Sequence, residues 1–65
     1  MIVFHIKEIR IKKNLSQKQL SELSGISKSY LSELENNTYC PSILILCKIA
    51  DALKVNINDL YTYKK

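Results

Sequence analysis

Residues 16–36, SQKQLSELSGISKSYLSELEN, read as two short helices hinged at Gly25, the only glycine of the chain. Ser16 can act as an N-cap, and Gln19, at the N3 position, closes a capping box. Leu20 and Leu23 then fall on one face of a helix of about two turns. Gly25 stands where the chain must reverse, which favours a positive φ and therefore a residue without Cβ. Beyond it Ile26 is apolar, Ser27 can cap a second helix, and Leu31 and Leu34 supply that helix with a buried stripe. Small Ser21 falls near the point where the two helices would cross.

The second helix turns Lys28, Ser29, Ser32 and Glu33 outward. All of them donate or accept hydrogen bonds, as a helix laid in a DNA groove requires. An ordinary helical hairpin shares the amphipathic pattern. The order of polar opening residue, small residue, glycine and apolar anchors favours a DNA-binding helix-turn-helix.

Upstream, residues 2–13 (IVFHIKEIRIKK) carry Ile2, Ile6 and Ile9 as a helical stripe. The β-branched start leaves open whether the first residues are helical or extended. Asn14 tolerates a left-handed conformation and can end this first helix, with Leu15 at N′ before the Ser16 cap. Downstream, residues 35–42 (ENNTYCPS) read as a loop from their asparagines and Pro41. Ser42 caps a fourth helix, SILILCKIADALK, whose core stripe is Ile43, Leu46, Ile49, Ala50 and Leu53. Val55 follows, and Asn56 with Asp59 at N3 opens a short fifth helix through Leu60 to about Tyr61. Residues 62–65 read as a frayed tail. The expectation is an all-α chain, one domain over residues 1–65, folded as a compact five-helix bundle.

A chain of 65 residues has room for one small core and buries only about 60% of its unfolded surface. Its hydrophobic fraction of 46% argues against disorder. Ten Lys and Arg against six Asp and Glu give a net charge of +4 and a pI near 9.2, which favours an anionic partner, nucleic acid first. No apolar run approaches the ~20 residues that cross a bilayer. The opening MIVFHIKEIR is too short and too soon charged for a secretory signal, so a cytoplasmic location is expected. Cys40 and Cys47, with the single His5, lack the paired spacing of a zinc site. The reducing cytoplasm argues against a disulfide, and Cys47 is expected to pack as a small apolar side chain. No nucleophile–base pair, glycine-rich phosphate loop or carboxylate constellation is present, so neither catalysis, a metal, a cofactor nor a small-molecule ligand is expected.

Ile6, Ile9 and Arg10, then LSQKQLSELSGISKSYLSELEN (residues 15–36), then Pro41 and Ser42, KIADAL (residues 48–53), Val55 and Leu60 together resemble the Cro and phage-repressor type of helix-turn-helix, often called the XRE family. The likeness runs over residues 2–61. It implies a five-helix domain whose third helix enters the DNA major groove, and a homodimer that binds operator DNA and controls transcription. Two departures stand out: Leu44 and Ile45 occupy positions usually polar in the family, and Asn14 replaces a common glycine. The resemblance also implies a partly buried ion pair between Arg10 and Glu35, which could otherwise be separate surface charges.

Within that frame Ser27, Lys28, Ser29, Ser32 and Glu33 are the base-contacting candidates. Lys28 can donate to guanine O6 and N7 or serve as a nonspecific phosphate partner; Glu33 can accept from a cytosine amino group or pair with a lysine. Gln17 and Lys18 open the second helix, where unsatisfied N–H groups and the dipole suit a phosphate; Ser42 opens the fourth in the same way. The resemblance gives Gln17 the same role. Asn36, Asn37, Thr38 and Tyr39 fit backbone contacts that set register. Leu44, Ile45, Ile57, Tyr61 and Tyr63 are the candidates for a homodimer interface. The rival reading is a protein-interaction module, antitoxin-like or bridging, that uses Leu44 and Ile45 to hold a partner protein.

Overall fold

Serines set three of the helix starts in this chain. In the computed structural model, which describes residues 1–36 and 40–65, Ser16 precedes helix α2 (Gln17–Ser24), Ser27 precedes α3 (Lys28–Glu35) and Ser42 precedes α4 (Ile43–Leu53). Each hydroxyl accepts from the backbone N–H three residues on, at 3.0, 3.1 and 3.2 Å. At Ser16 the box is closed in return, its own N–H donating to Gln19 Oε1 at 2.8 Å. Such caps each contribute about 1 kcal/mol. α1 (Ile6–Lys12) has no side-chain cap.

Left-handed residues follow α1, α2 and α4. Gly25 closes α2 with φ +74°, and its N–H donates to Ser21 O at 2.9 Å. Asn14, after α1, has φ 59°, as its short polar side chain allows. Lys54 closes α4 with φ 58°, a position no local residue preference marks. In the α2–α3 turn, the Ser21 hydroxyl donates to Ile26 O, which ties the hinge to the helix it leaves.

Ile6, Leu20, Ile26, Leu31, Leu34, Leu46, Ile49, Ala50, Leu53 and Leu60 form the core. Expectation and structure part at three side chains. Leu23 is 61% exposed and Ile43 69% exposed; Cys47 is exposed as well. Leu20 centres the packed side of α2, flanked by the half-buried small residues Ser21 and Ser24, and Leu23 is rotated off it. In α4 the stripe of Leu46, Ile49, Ala50 and Leu53 leaves Cys47 on the outer side. Ile43 lies one turn before the helix reaches the core.

The chain is mostly helical, but the bundle of five helices is not formed. The expected fifth helix is a single 3-10 turn, Ile57–Leu60, in which Asn56 N–H donates to Asp59 Oδ2 at 3.1 Å. The chain then becomes strand β2 (Tyr61–Tyr63), antiparallel to β1 (Ile2–Phe4) in the register Ile2↔Tyr63, Val3↔Thr62, Phe4↔Tyr61. The start is therefore extended, and Ile2 leaves the helical stripe. The end is paired rather than frayed: Lys64 N–H donates to Met1 O at 2.7 Å. β-Branched and aromatic residues on both segments suit this pairing. His5 fastens the sheet to the helices, its N–H donating to Leu60 O at 2.7 Å and its Nε2 lying 2.7 Å from Thr62 Oγ1. Among the described residues no helix is long and apolar enough to cross a membrane.

Candidate nucleic-acid interface

α3 is two-sided. Leu31 and Leu34 are buried against the other helices, whereas Ser27, Lys28, Ser29 and Glu33 are exposed and Ser32 is half-buried. Spacings of three and four residues put Ser29, Ser32 and Glu33 side by side, with Lys28 one turn before Ser32. Ser27 spends its oxygen on the cap and keeps its hydroxyl proton to donate. The outer surface of α3 thus offers a cation, hydroxyls and a carboxylate, with no apolar side chain among them.

The far end of α3 is held from behind. Arg10 Nε donates to Glu35 Oε2 at 2.8 Å and Nη2 donates to Oε1 at 3.1 Å. The remaining arm of the guanidinium donates to Leu15 O at 2.7 Å. Gln17 Nε2 adds a further bond to Glu35 Oε1 at 3.0 Å. The Arg10 and Glu35 side chains are only 11% and 3% exposed. One carboxylate therefore joins the last residue of α3 to α1 and to the first residue of α2, and the guanidinium adds the loop between them. The expected ion pair is formed.

Gln17, the phosphate candidate at the start of α2, is half-buried, and its side-chain amide donates to Glu35. That bond uses one of its amide N–H groups. What α2 still presents outward is its opening backbone, the N–H groups of Gln17 and Lys18, with Lys18 exposed beside them. α4 opens on the same plan behind Ser42, with Ile43 and Leu44 as its first residues. Asn36 is exposed at the end of α3, and its N–H donates to Ser32 O at 3.1 Å. Asn37, Thr38 and Tyr39 lie outside the described residues.

The interface candidates are spread unevenly. Leu44 and Tyr63 are 63% and 64% exposed. Ile45, Ile57 and Tyr61 are half-buried, and Ile45 and Ile57 pack against the core. Among the described residues no group of His, Cys, Asp and Glu is arranged to hold a metal ion. The inward bond of Gln17 and the Leu15 carbonyl are the parts of this site that sequence reasoning missed. No spacing signals either: the first depends on how α2 packs against α3, the second on how the chain folds back onto Arg10 after α1.

Comparison with known proteins places these features in context. A helix-turn-helix family profile matches residues 6–60. The HTH-type transcriptional regulator SinR of Bacillus subtilis is 40% identical over 65 residues, which cover 98% of this chain and 59% of SinR. The immunity repressor protein of Bacillus phage phi105 is 40% identical over 55 residues, 85% of this chain and 38% of the repressor. The crystal structure of the restriction-modification controller protein C.AhdI from Aeromonas hydrophila superposes with a TM-score of 0.82 at 33% identity, covering 85% of this chain and 83% of that one. The chain thus spans about three-fifths of SinR and less of the phage repressor.

Proposed function

The chain belongs to the helix-turn-helix family, and on that premise we propose that it is a sequence-specific double-stranded-DNA-binding regulator of transcription, a repressor that binds a palindromic operator as a homodimer. The observation that carries this reading is the two-sided α3, polar and exposed outward and locked inward at its far end by the Arg10–Glu35 fork. A helix so held can enter the major groove without losing its orientation. The relatives named as a transcriptional regulator and an immunity repressor support the same direction.

In this reading Ser27, Lys28 and Ser29, at the start of α3, reach base edges. Lys28 donates to guanine O6 and N7, and Glu33 accepts from a cytosine amino group where phosphate repulsion is offset; Ser32 lies beside it. The opening N–H groups of α2 at Gln17 and Lys18, and those of α4 behind Ser42, clamp phosphates on either side, and Asn36 borders the groove. One head reads too few bases for high specificity, so two heads roughly 34 Å apart span the operator. The net charge of +4 serves the phosphate-driven part of affinity.

The rival protein-interaction reading draws on Leu44 and Ile45. Ile45 packs against the core, which leaves Leu44 alone of that pair exposed. A gel shift on random duplex with rising salt separates the readings. DNA binding should weaken steeply as salt rises, because released counterions drive it. Absence of salt-sensitive binding to any duplex would overturn the proposal. Selection from a random duplex pool then reports the bases read and, through palindromic spacing, the number of heads.

A further inference from the structure

One neighbour, α2, holds both ends of α3. At the far end Glu35 accepts from the Gln17 amide at 3.0 Å. At the near end the hold falls on Ile26, the last residue before the Ser27 cap. The Ser21 hydroxyl donates to Ile26 O, and Ile26 N–H donates to Ser24 Oγ at 3.3 Å. Side chains from the last turn of α2 thus engage both backbone groups of Ile26, whose own side chain is buried in the core. Ser27 carries the connection onward: its hydroxyl accepts from Tyr30 N–H at 3.1 Å and its carbonyl from Leu31 N–H at 3.0 Å. The turn does not depend on the serine side chains in order to reverse. Gly25 supplies the left-handed residue, and its own N–H closes α2 on Ser21 O at 2.9 Å. What the two serines add is a fixed relation between α2 and the residue that precedes the exposed start of α3.

Resting on the DNA-binding reading above, we propose that Ser21 and Ser24 are positioning residues for base recognition. They set the depth and tilt at which Ser27, Lys28 and Ser29 meet the bases, and they act through Ile26 rather than by touching DNA. Base-reading side chains work only while held within about 0.5 Å of their productive geometry. Leu31 and Leu34 press α3 against the core, but apolar packing is non-directional and leaves small slides and tilts open. Hydrogen bonds are directional, and a pair of them on one peptide segment removes that freedom. The Arg10–Glu35 fork supplies such a hold at the end of α3; the exposed residues assigned to base edges lie at the other end, where Ser21 and Ser24 supply it. Both serines are half-buried, in keeping with a role behind the reading surface.

Such a hold controls discrimination more than affinity, which gives the test. Duplexes selected by the wild-type chain are compared, in competition gel shifts, with copies carrying single base-pair changes and with random duplex. Ser21→Ala and Ser24→Ala should each lose discrimination several-fold while affinity for random duplex stays level. The loss should extend beyond the single base position that Lys28→Ala relaxes, because the whole start of α3 is released. Ser24→Thr, which keeps the hydroxyl, should recover the wild-type ratio. Ile49→Val, a buried change on α4 with a comparable cost in stability, should leave that ratio intact. Amide hydrogen exchange of the free chain gives a second measurement: in Ser24→Ala the Ile26 N–H should quicken by a larger factor than the amides of α4. Full discrimination in both alanine variants overturns the positioning role and leaves the DNA-binding reading standing. So does a loss in Ser24→Thr or in Ile49→Val as large as in Ser24→Ala, or an Ile26 N–H whose exchange is unchanged. A wild type without base preference overturns the DNA-binding reading and this role with it.

Discussion

Arg10 and Glu35, 25 positions apart in the chain, meet through two N–H···O bonds of 2.8 and 3.1 Å in a nearly closed setting. Arg10 also holds Leu15 O and Glu35 also holds Gln17. The pair therefore acts as a bracket between the scaffold helices and the end of α3, the helix assigned to DNA. Its expected effect is on orientation as much as on stability, since burying charges offsets much of what their attraction contributes.

Replacing either Arg10 or Glu35 by Ala should destabilise folding by about 3–5 kcal/mol, because each leaves the other charge buried without its partner. The double variant should lose clearly less than the sum, a coupling of roughly 1–3 kcal/mol. Thermal melts of the wild type and the single and double variants measure it. Coupling near zero would return the two residues to independent roles.

Gln17→Ala removes a bond to the bracket and leaves the backbone N–H groups of α2 in place. A stability loss of about 0.5–1.5 kcal/mol is expected, with binding weakened alike on every duplex. A changed base preference, read from selected sequences, would contradict the role assigned to it.

For Lys28→Ala the opposite pattern holds. Affinity for the operator should fall by about 1–3 kcal/mol with relaxed preference at one base position. Equal weakening on operator and random duplex, in parallel gel shifts, would show that Lys28 touches phosphate alone.

Gly25 offers a purely conformational test. A Cβ added there meets nothing within 4 Å, yet φ is +74°. Gly25→Ala should therefore cost about 1–2 kcal/mol from backbone strain alone. Gly25→Asn should cost less, since asparagine enters this region more readily, and Gly25→Val should cost more. Equal melting temperatures for all of these would mean that the turn relaxes out of the left-handed region.

Much of this protein was legible in its sequence wherever the deciding force is local. Ser16, Ser27 and Ser42 cap helices because a hydroxyl can reach a backbone N–H three residues away, whatever surrounds it. Gly25 and Asn14 turn the chain because of what their own side chains permit. The buried stripe of α4 from Leu46 to Leu53 follows from helical periodicity. Arg10 and Glu35 could be paired in advance only through family likeness, for nothing local joins residues so far apart. Tertiary structure alone decided the rest. Ile2–Phe4 and Tyr61–Tyr63 are too short to choose a conformation by themselves, and they become strands because the folded helices bring the two ends of the chain together. Gln17 turns to Glu35 because the packing of α2 against α3 brings the carboxylate at the end of α3 within its reach. Leu23, Ile43 and Cys47 stay exposed because periodicity says which residues share a face, whereas burial depends on how far neighbouring elements extend over it.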